Sequence, residues 1–136
     1  SALQCAPDIV ELAQSRRMSV DAAASAYFGV GAAFGLDWLR SRIEALDIDG
    51  HWHAVARGSL REALYEIHRG LVQRVLDETR ERDPARALER WQKRHGAASA
   101  HAQAVVGDIR AQPSGVDFAS LSVALQAVRR LVVAER

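Results

Sequence analysis

The sequence predicts an all-α fold, and three observations carry that expectation. Apolar residues recur at helical spacing along most of the chain, and no run alternates with period two. No hairpin turn joins two β-like segments, because Asp49-Gly50, the one superficially suitable pair, is flanked by helical patterns. With 136 residues, 49% hydrophobic and 26% charged, the chain is large enough to bury a core and too apolar to be disordered. Residues 1–136 are therefore expected to form a single domain of about six helices packed around a long central helix.

The first helix is expected to start near Pro7 or Asp8, with Glu11 in capping-box spacing, and to run to about Arg17. Ser19 is placed to cap the second, whose apolar residues Ala23, Ala26, Tyr27, Val30 and Phe34 share a face. From Ala22 to Leu36 there is no charge on any side, so this helix belongs at the centre of the domain. Gly35 ends it, and Asp37 to Leu46 makes a short third helix. Asp49 is the expected cap of the longest helix, from about Gly50 to Arg82.

The long helix carries a main stripe of Trp52, Ala56, Leu60, Ala63, Ile67, Leu71 and Val75. A second stripe, Tyr65, Val72 and Leu76, lies on another side, and Glu62, Glu66, Arg69, Gln73 and Asp77 form a polar ridge between them. A surface helix needs one apolar face, so the second stripe requires another cover: the fifth or the last helix, or a partner. Asp83-Pro84 restarts the chain with cap and first-turn chemistry. The fifth helix is expected to reach His95 with Gly96 as a stop or kink, and a sixth to cover Ala98 to Arg110. Pro113-Ser114-Gly115 reads as a turn. Asp117 then caps a last helix with the face Phe118, Leu121, Ala124, Leu125, Val128, Leu131 and Val132.

Composition excludes several functions. A net charge of +1 gives no global attraction to nucleic acid or anionic membrane. Nearly all basic residues are Arg, with Lys93 the lone lysine. The apolar run from Ala22 to Leu36 is shorter than the ~20 residues a bilayer span requires. Cys5 is the single cysteine, which allows neither an internal disulfide nor a thiolate metal cluster and points to a cytoplasmic protein. Ser1-Ala2-Leu3-Gln4 has no signal-peptide character, and the missing initiator Met suggests a piece excised from a longer chain.

No catalytic, cofactor-binding or metal-binding residue emerges. Gly29-Val30-Gly31 and Gly35 invite a dinucleotide-binding reading, which needs a glycine turn after a strand. Here the residues before the glycines are helical, Gly35 falls one place late, and Asp49 is better explained as a cap. Close helix–helix approach is the preferred role for these glycines. A helix-turn-helix reading is disfavoured, because Ala32, Ala33 and Phe34 would face the bases where polar side chains are needed.

His51, His53, His68, His95 and His101 show no zinc-pair spacing and are read as surface or boundary residues. Arg86, Arg90 and Arg94, joined by Lys93, could offer a basic ridge, but the interleaved Glu89 favours a solvated face. Trp38, Trp52 and Trp91 each fall within an apolar pattern and are read as core anchors.

The run Tyr27-Phe28-Gly29-Val30-Gly31-Ala32-Ala33-Phe34-Gly35-Leu36-Asp37-Trp38-Leu39-Arg40 resembles a signature from the C-terminal helical region of the large bacterial NAD-specific glutamate dehydrogenases. His51-Trp52 followed by Leu60-Arg61-Glu62-Ala63-Leu64-Tyr65, and then Leu121-Ser122-Val123-Ala124-Leu125, extend the likeness in the expected order, from about Asp8 to Leu131. The resemblance implies a parent enzyme that oxidatively deaminates L-glutamate to 2-oxoglutarate and ammonia with NAD. It also implies a large, multidomain homo-oligomer. In that family the catalytic lysine and the nucleotide-binding sheet precede this region, so the resemblance transfers no site residue.

It implies instead a non-catalytic domain with a structural, oligomerisation or regulatory role. Its partners would be the catalytic region of the same polypeptide and other subunits, not nucleic acid or membrane. The rival expectation is a free-standing helical interaction or transcription-associated module.

Overall fold

The structure is a computed structural model describing the backbone of residues 2–46, 51–113 and 116–133, and side chains within 7–46, 53–113 and 116–133. The described residues form seven helices and no strand: α1 (Ala2–Arg16), α2 (Val20–Ala33), α3 (Leu36–Glu44), α4 (His51–Thr79), α5 (Pro84–Arg94), α6 (Gly96–Arg110) and α7 (Phe118–Val133). The all-α expectation holds, and the seven helices fall on the seven segments expected in turn, one more than the rounded total of six.

Local signals account for most boundaries. Ser19 Oγ accepts from the Ala22 amide at 3.0 Å and Asp83 Oδ1 from the Ala85 amide at 3.0 Å. Asp117 Oδ1 accepts from the Ser120 amide at 2.8 Å, so three helices start on side-chain caps. Gly35 takes φ +69 between α2 and α3, a conformation only glycine adopts without penalty. A β-carbon there would also stand 2.8 Å from Val106 Cγ1 on α6.

Three boundaries differ from expectation. α1 begins at Ala2 and contains Pro7; so near the N-terminus the missing amide costs one helical bond rather than a break. Gly96 opens α6 instead of stopping α5, because the kink falls at His95, which ends one helix and precedes the next. α4 ends at Thr79, where Arg80 turns to φ 53. The expected Asp49 cap and most of the 113–115 turn lie outside the described residues.

α2 and α4 form the centre. α2 touches α1, α3, α4 and α5, and α4 touches α2, α3, α5 and α7. α6 lies against α7 and more lightly against α5. The common core holds Tyr27, Phe34, Leu36, Leu39, Ile43, Leu64, Leu71, Trp91 and Leu121, all essentially enclosed. Each aliphatic side chain of that set contributes about 2 kcal/mol by leaving water.

The second stripe of α4 is covered from within: Val72 is 1% and Leu76 8% exposed, while Tyr65 is half-buried. Val72 lines a small cavity with Leu12 and Ser15 of α1 and Tyr27 of α2, and Leu76 lines another with Met18 and Ala22. α4 also packs against the fifth and last helices, which were expected to cover the stripe. The polar ridge Glu62, Glu66, Arg69, Gln73 and Asp77 is exposed as expected. Phe118, placed on the buried face of the last helix, is instead 40% exposed; it is the first residue of α7. Trp91 is enclosed, but Trp38 is only half-buried and sits 5.9 Å from the Arg110 guanidinium. The Trp52 side chain lies outside the described residues.

Candidate functional site

The most unusual chemistry in the chain is a cluster of polar groups at the junction of α2, α3 and α4. His68 on α4 is completely enclosed. Its ring lies over that of Tyr27, centroids 3.7 Å apart and planes 26° from parallel. The ring Nε2 is 2.6 Å from the Tyr27 carbonyl oxygen, and Nδ1 is 3.4 Å from an Arg40 terminal nitrogen. A carbonyl can only accept and a guanidinium can only donate. Nε2 therefore carries the proton, and the Nδ1 lone pair faces Arg40.

The helices bring these groups together for simple reasons. Gly31, one turn after Tyr27 on α2, leaves the space that the imidazole fills. Arg40 is 8% exposed, donates to Asp37 Oδ1 at 3.3 Å one turn earlier on α3, and stands 5.7 Å from the Tyr65 ring centre. On the far side the Tyr27 hydroxyl is 3.4 Å from Asp8 Oδ2, and Asp8 is 3.6 Å from Arg69. The line Asp37–Arg40–His68–Tyr27–Asp8 thus runs from α3 through α4 and α2 to α1.

Electrostatics fix the state of the histidine. Burial pushes His68 down to about 4, against the opposing effect of the Tyr27 carbonyl, and the Arg40 charge pushes the same way as burial. At neutral pH the ring is uncharged, in one tautomer, with both nitrogens engaged. A general base needs a lone pair within reach of a substrate proton. This lone pair faces an arginine inside the core, and the cluster ties helices to one another.

A second network sits at the other end of α4. Arg74 donates to the Val132 carbonyl at 2.6 Å and to Glu78 at 3.0 Å, and Glu78 Oε2 is 2.6 Å from His95 Nε2. Burial raises the Glu78 carboxyl, but the His95 and Arg74 contacts outweigh it and hold the group below the usual carboxylate range. Arg94 adds a bond to the Glu78 carbonyl. The network ties α4, α5 and the end of α7 together.

The residues singled out by the sequence lie mostly away from this cluster. Gly29 and Gly31 lie inside α2, with no strand before them among the described residues, so the glycine run does not fit a dinucleotide pyrophosphate. Gly31 does allow close approach, but a β-carbon on Gly29 would meet nothing within 4 Å; the close-approach role belongs to Gly31 and Gly35. His53 and His101 are exposed and His95 is half-buried, whereas His68 corrects the surface reading. The side chain of His51 lies outside the described residues. On α5, Arg86, Arg90 and Arg94 with Lys93 are exposed, as a solvated face requires. Arg90 pairs with Glu81 and Lys93 with Glu89.

Among the described residues no group of His, Cys, Asp or Glu is placed to hold a metal ion. None of the described helices is long and apolar enough to cross a membrane. Sequence reasoning missed His68 and Arg74 as buried polar residues. The available signal for His68 was its position one residue after Ile67 of the main stripe and four before Val72 of the second, between the two apolar faces.

Comparison with known proteins places the chain in a family. Residues 1–130 match the family described as glutamate dehydrogenase, C-terminal. The chain is also 32% identical, over 110 residues, to the NAD-specific glutamate dehydrogenase of Mycobacterium tuberculosis (strain ATCC 25618 / H37Rv). That alignment covers 79% of this chain and 7% of the relative's length. Helical throughout its described residues and matched by that family over nearly its whole length, the chain belongs to the glutamate dehydrogenase C-terminal family.

Proposed function

We propose that this chain is the C-terminal helical domain of an NAD-dependent glutamate dehydrogenase and that its own role is non-catalytic. On this reading the parent enzyme deaminates L-glutamate oxidatively to 2-oxoglutarate and ammonia, reducing NAD, and works in the cytoplasm. The helical domain covers the catalytic region, joins subunits or relays regulation. Its partners are the rest of the same polypeptide and other subunits, with no part for nucleic acid or membrane.

One observation supports the non-catalytic role above all. His68, the most completely enclosed ionisable side chain among the described residues, has both ring nitrogens occupied by Tyr27 and Arg40. Active sites keep a reactive group facing a space where substrate can sit. Here the polar groups hold α1, α2, α3 and α4 in register.

The test is made in the parent enzyme. Substituting His68→Leu there disturbs the domain without touching a catalytic group on this account. Sedimentation and thermal melting are expected to show weaker assembly or lower stability, while the KM for NAD of the remaining active enzyme stays within about twofold. A large rise in that KM, or loss of turnover with assembly and stability intact, counts against the reading.

A further inference from the structure

A cavity of about 340 Å³ opens where the C-terminal ends of α1 and α4 meet. Its floor is apolar, made by Met18, Ala22 and Leu76, and Arg16, Arg17, Arg80 and Arg82 surround it with Glu81. Arg16 pairs with Asp77, and Glu81 with Arg90. Arg17, Arg80 and Arg82 are exposed, and their guanidinium groups have no carboxylate partner among the described residues, the Arg82 backbone amide alone bonding Glu81. Each helix C-terminus carries about half a negative charge. Two such ends offset about one of the three guanidiniums, and the groove stays positive.

The backbone gives an independent reason to single out this groove. Arg17 and Arg80 both adopt φ 53. The Met18 amide bonds the Ala13 carbonyl at 3.0 Å and the Arg80 amide bonds the Leu76 carbonyl at 2.9 Å. Both arginines therefore occupy the left-handed position that closes a helix, where glycine is the unstrained choice. The chain carries a strained arginine at the two adjacent helix ends that line one cavity. Strained backbone of this kind is held by the surrounding structure and clusters at binding and switch sites.

The makeup of the groove specifies its occupant. An apolar floor ringed by guanidiniums complements an apolar side chain flanked by carboxylates. Arginine suits such contacts because its planar fork pairs two carboxylate oxygens and gives up water readily. By contrast, on the basic ridge of α5 Arg90 pairs with Glu81, Lys93 with Glu89, and Arg94 donates to the Glu78 carbonyl. The relative of this chain is a polypeptide of which the alignment covers 7%, so more than nine-tenths of such a protein is available to fill the groove.

We propose that the groove between the ends of α1 and α4 docks an acidic segment, an apolar residue flanked by Asp or Glu, from the remainder of the parent polypeptide. This rests on the reading of the chain as part of a larger dehydrogenase.

Hydrogen exchange on the 136-residue chain and on the intact parent protein, both at low salt, tests the surface. Amides of residues 17–19 and 80–82 are expected to exchange at least tenfold more slowly in the parent. In a parent carrying Arg17→Gly and Arg80→Gly, that protection falls back to the level of the chain alone. The same double substitution in the 136-residue chain leaves its denaturant midpoint unchanged or higher, because glycine fits both backbone positions. Arg82→Ser, outside any helix, gives a second reading and is expected to lose part of the protection.

Equal exchange at the groove, with protection elsewhere on the domain, overturns this surface and leaves the parent reading standing. No added protection anywhere overturns both. Protection that survives Arg17→Gly, Arg80→Gly and Arg82→Ser overturns the acidic occupant.

Discussion

Gly31 and His68 meet so closely that a β-carbon on Gly31 would stand 3.0 Å from the ring Cε1 and 3.1 Å from Nε2. The ring has nowhere to retreat, because Tyr27 stacks on it at 3.7 Å and its two nitrogens are held by the Tyr27 carbonyl and Arg40. The packing of α4 on α2 at this level therefore depends on the absence of a side chain at one position.

Paired alanine substitutions check this. Gly31→Ala gains ~1 kcal/mol of helix propensity but loses about 2 kcal/mol through overpacking, a net loss of about 1 kcal/mol. Gly29→Ala, two residues earlier with nothing within 4 Å of the added carbon, is expected to stabilise by ~1 kcal/mol. Denaturant melts that move both variants in the same direction contradict the assigned role of Gly31.

His68 makes stability depend on pH in a defined window. The folded protein holds the ring at about 4 and the unfolded chain at 6.5. Between those values the unfolded state carries the extra proton, so stability is full above pH 6.5 and falls as pH drops towards 4. The loss approaches ~1.4 kcal/mol per unit, or about 3 kcal/mol across the window. Urea melts from about pH 7 to about pH 4 are expected to show this slope for the wild type and a flatter one for His68→Gln. An NMR titration of His68 with a midpoint near 6.5, the unshifted value, rules the account out.

The helices were legible because their chemistry is local. Ser19, Asp83 and Asp117 cap within three residues of themselves, and Gly35 breaks the chain where φ must be positive. The buried cluster was not legible, because it assembles residues far apart in the chain, His68 lying 41 positions from Tyr27. No spacing in one helix shows that a glycine on another has left room for an imidazole. The approach of α1 and α2 to the second stripe was hidden likewise: several helices offer an apolar face, and sequence periodicity does not select among partners.

Val72 tests the internal cover of that second stripe. At 1% exposure, Val72→Glu places a charge against Leu12 and Tyr27 and is expected to cost ~3 kcal/mol or more. The wild-type chain should sediment as a monomer and the variant should unfold. A wild-type dimer that Val72→Glu converts to a folded monomer makes the stripe an interface instead.

The tryptophans separate core from margin. Trp91→Ala is expected to destabilise by ~3–5 kcal/mol, since the ring is enclosed and packs edge-on to Phe34 at 6.1 Å. Trp38→Ala, half-buried beside Arg110, should cost only about 1–2 kcal/mol. Equal losses in denaturant melts contradict the different burial of the two rings.

The central claim is that this helical domain carries no cofactor site of its own, and calorimetric titration of the 136-residue chain with NAD tests it most directly. The account predicts no saturable heat up to millimolar NAD, because the glycines of α2 lie within a helix and Gly31 faces His68. One-to-one binding in the micromolar range, of ~8 kcal/mol, contradicts it.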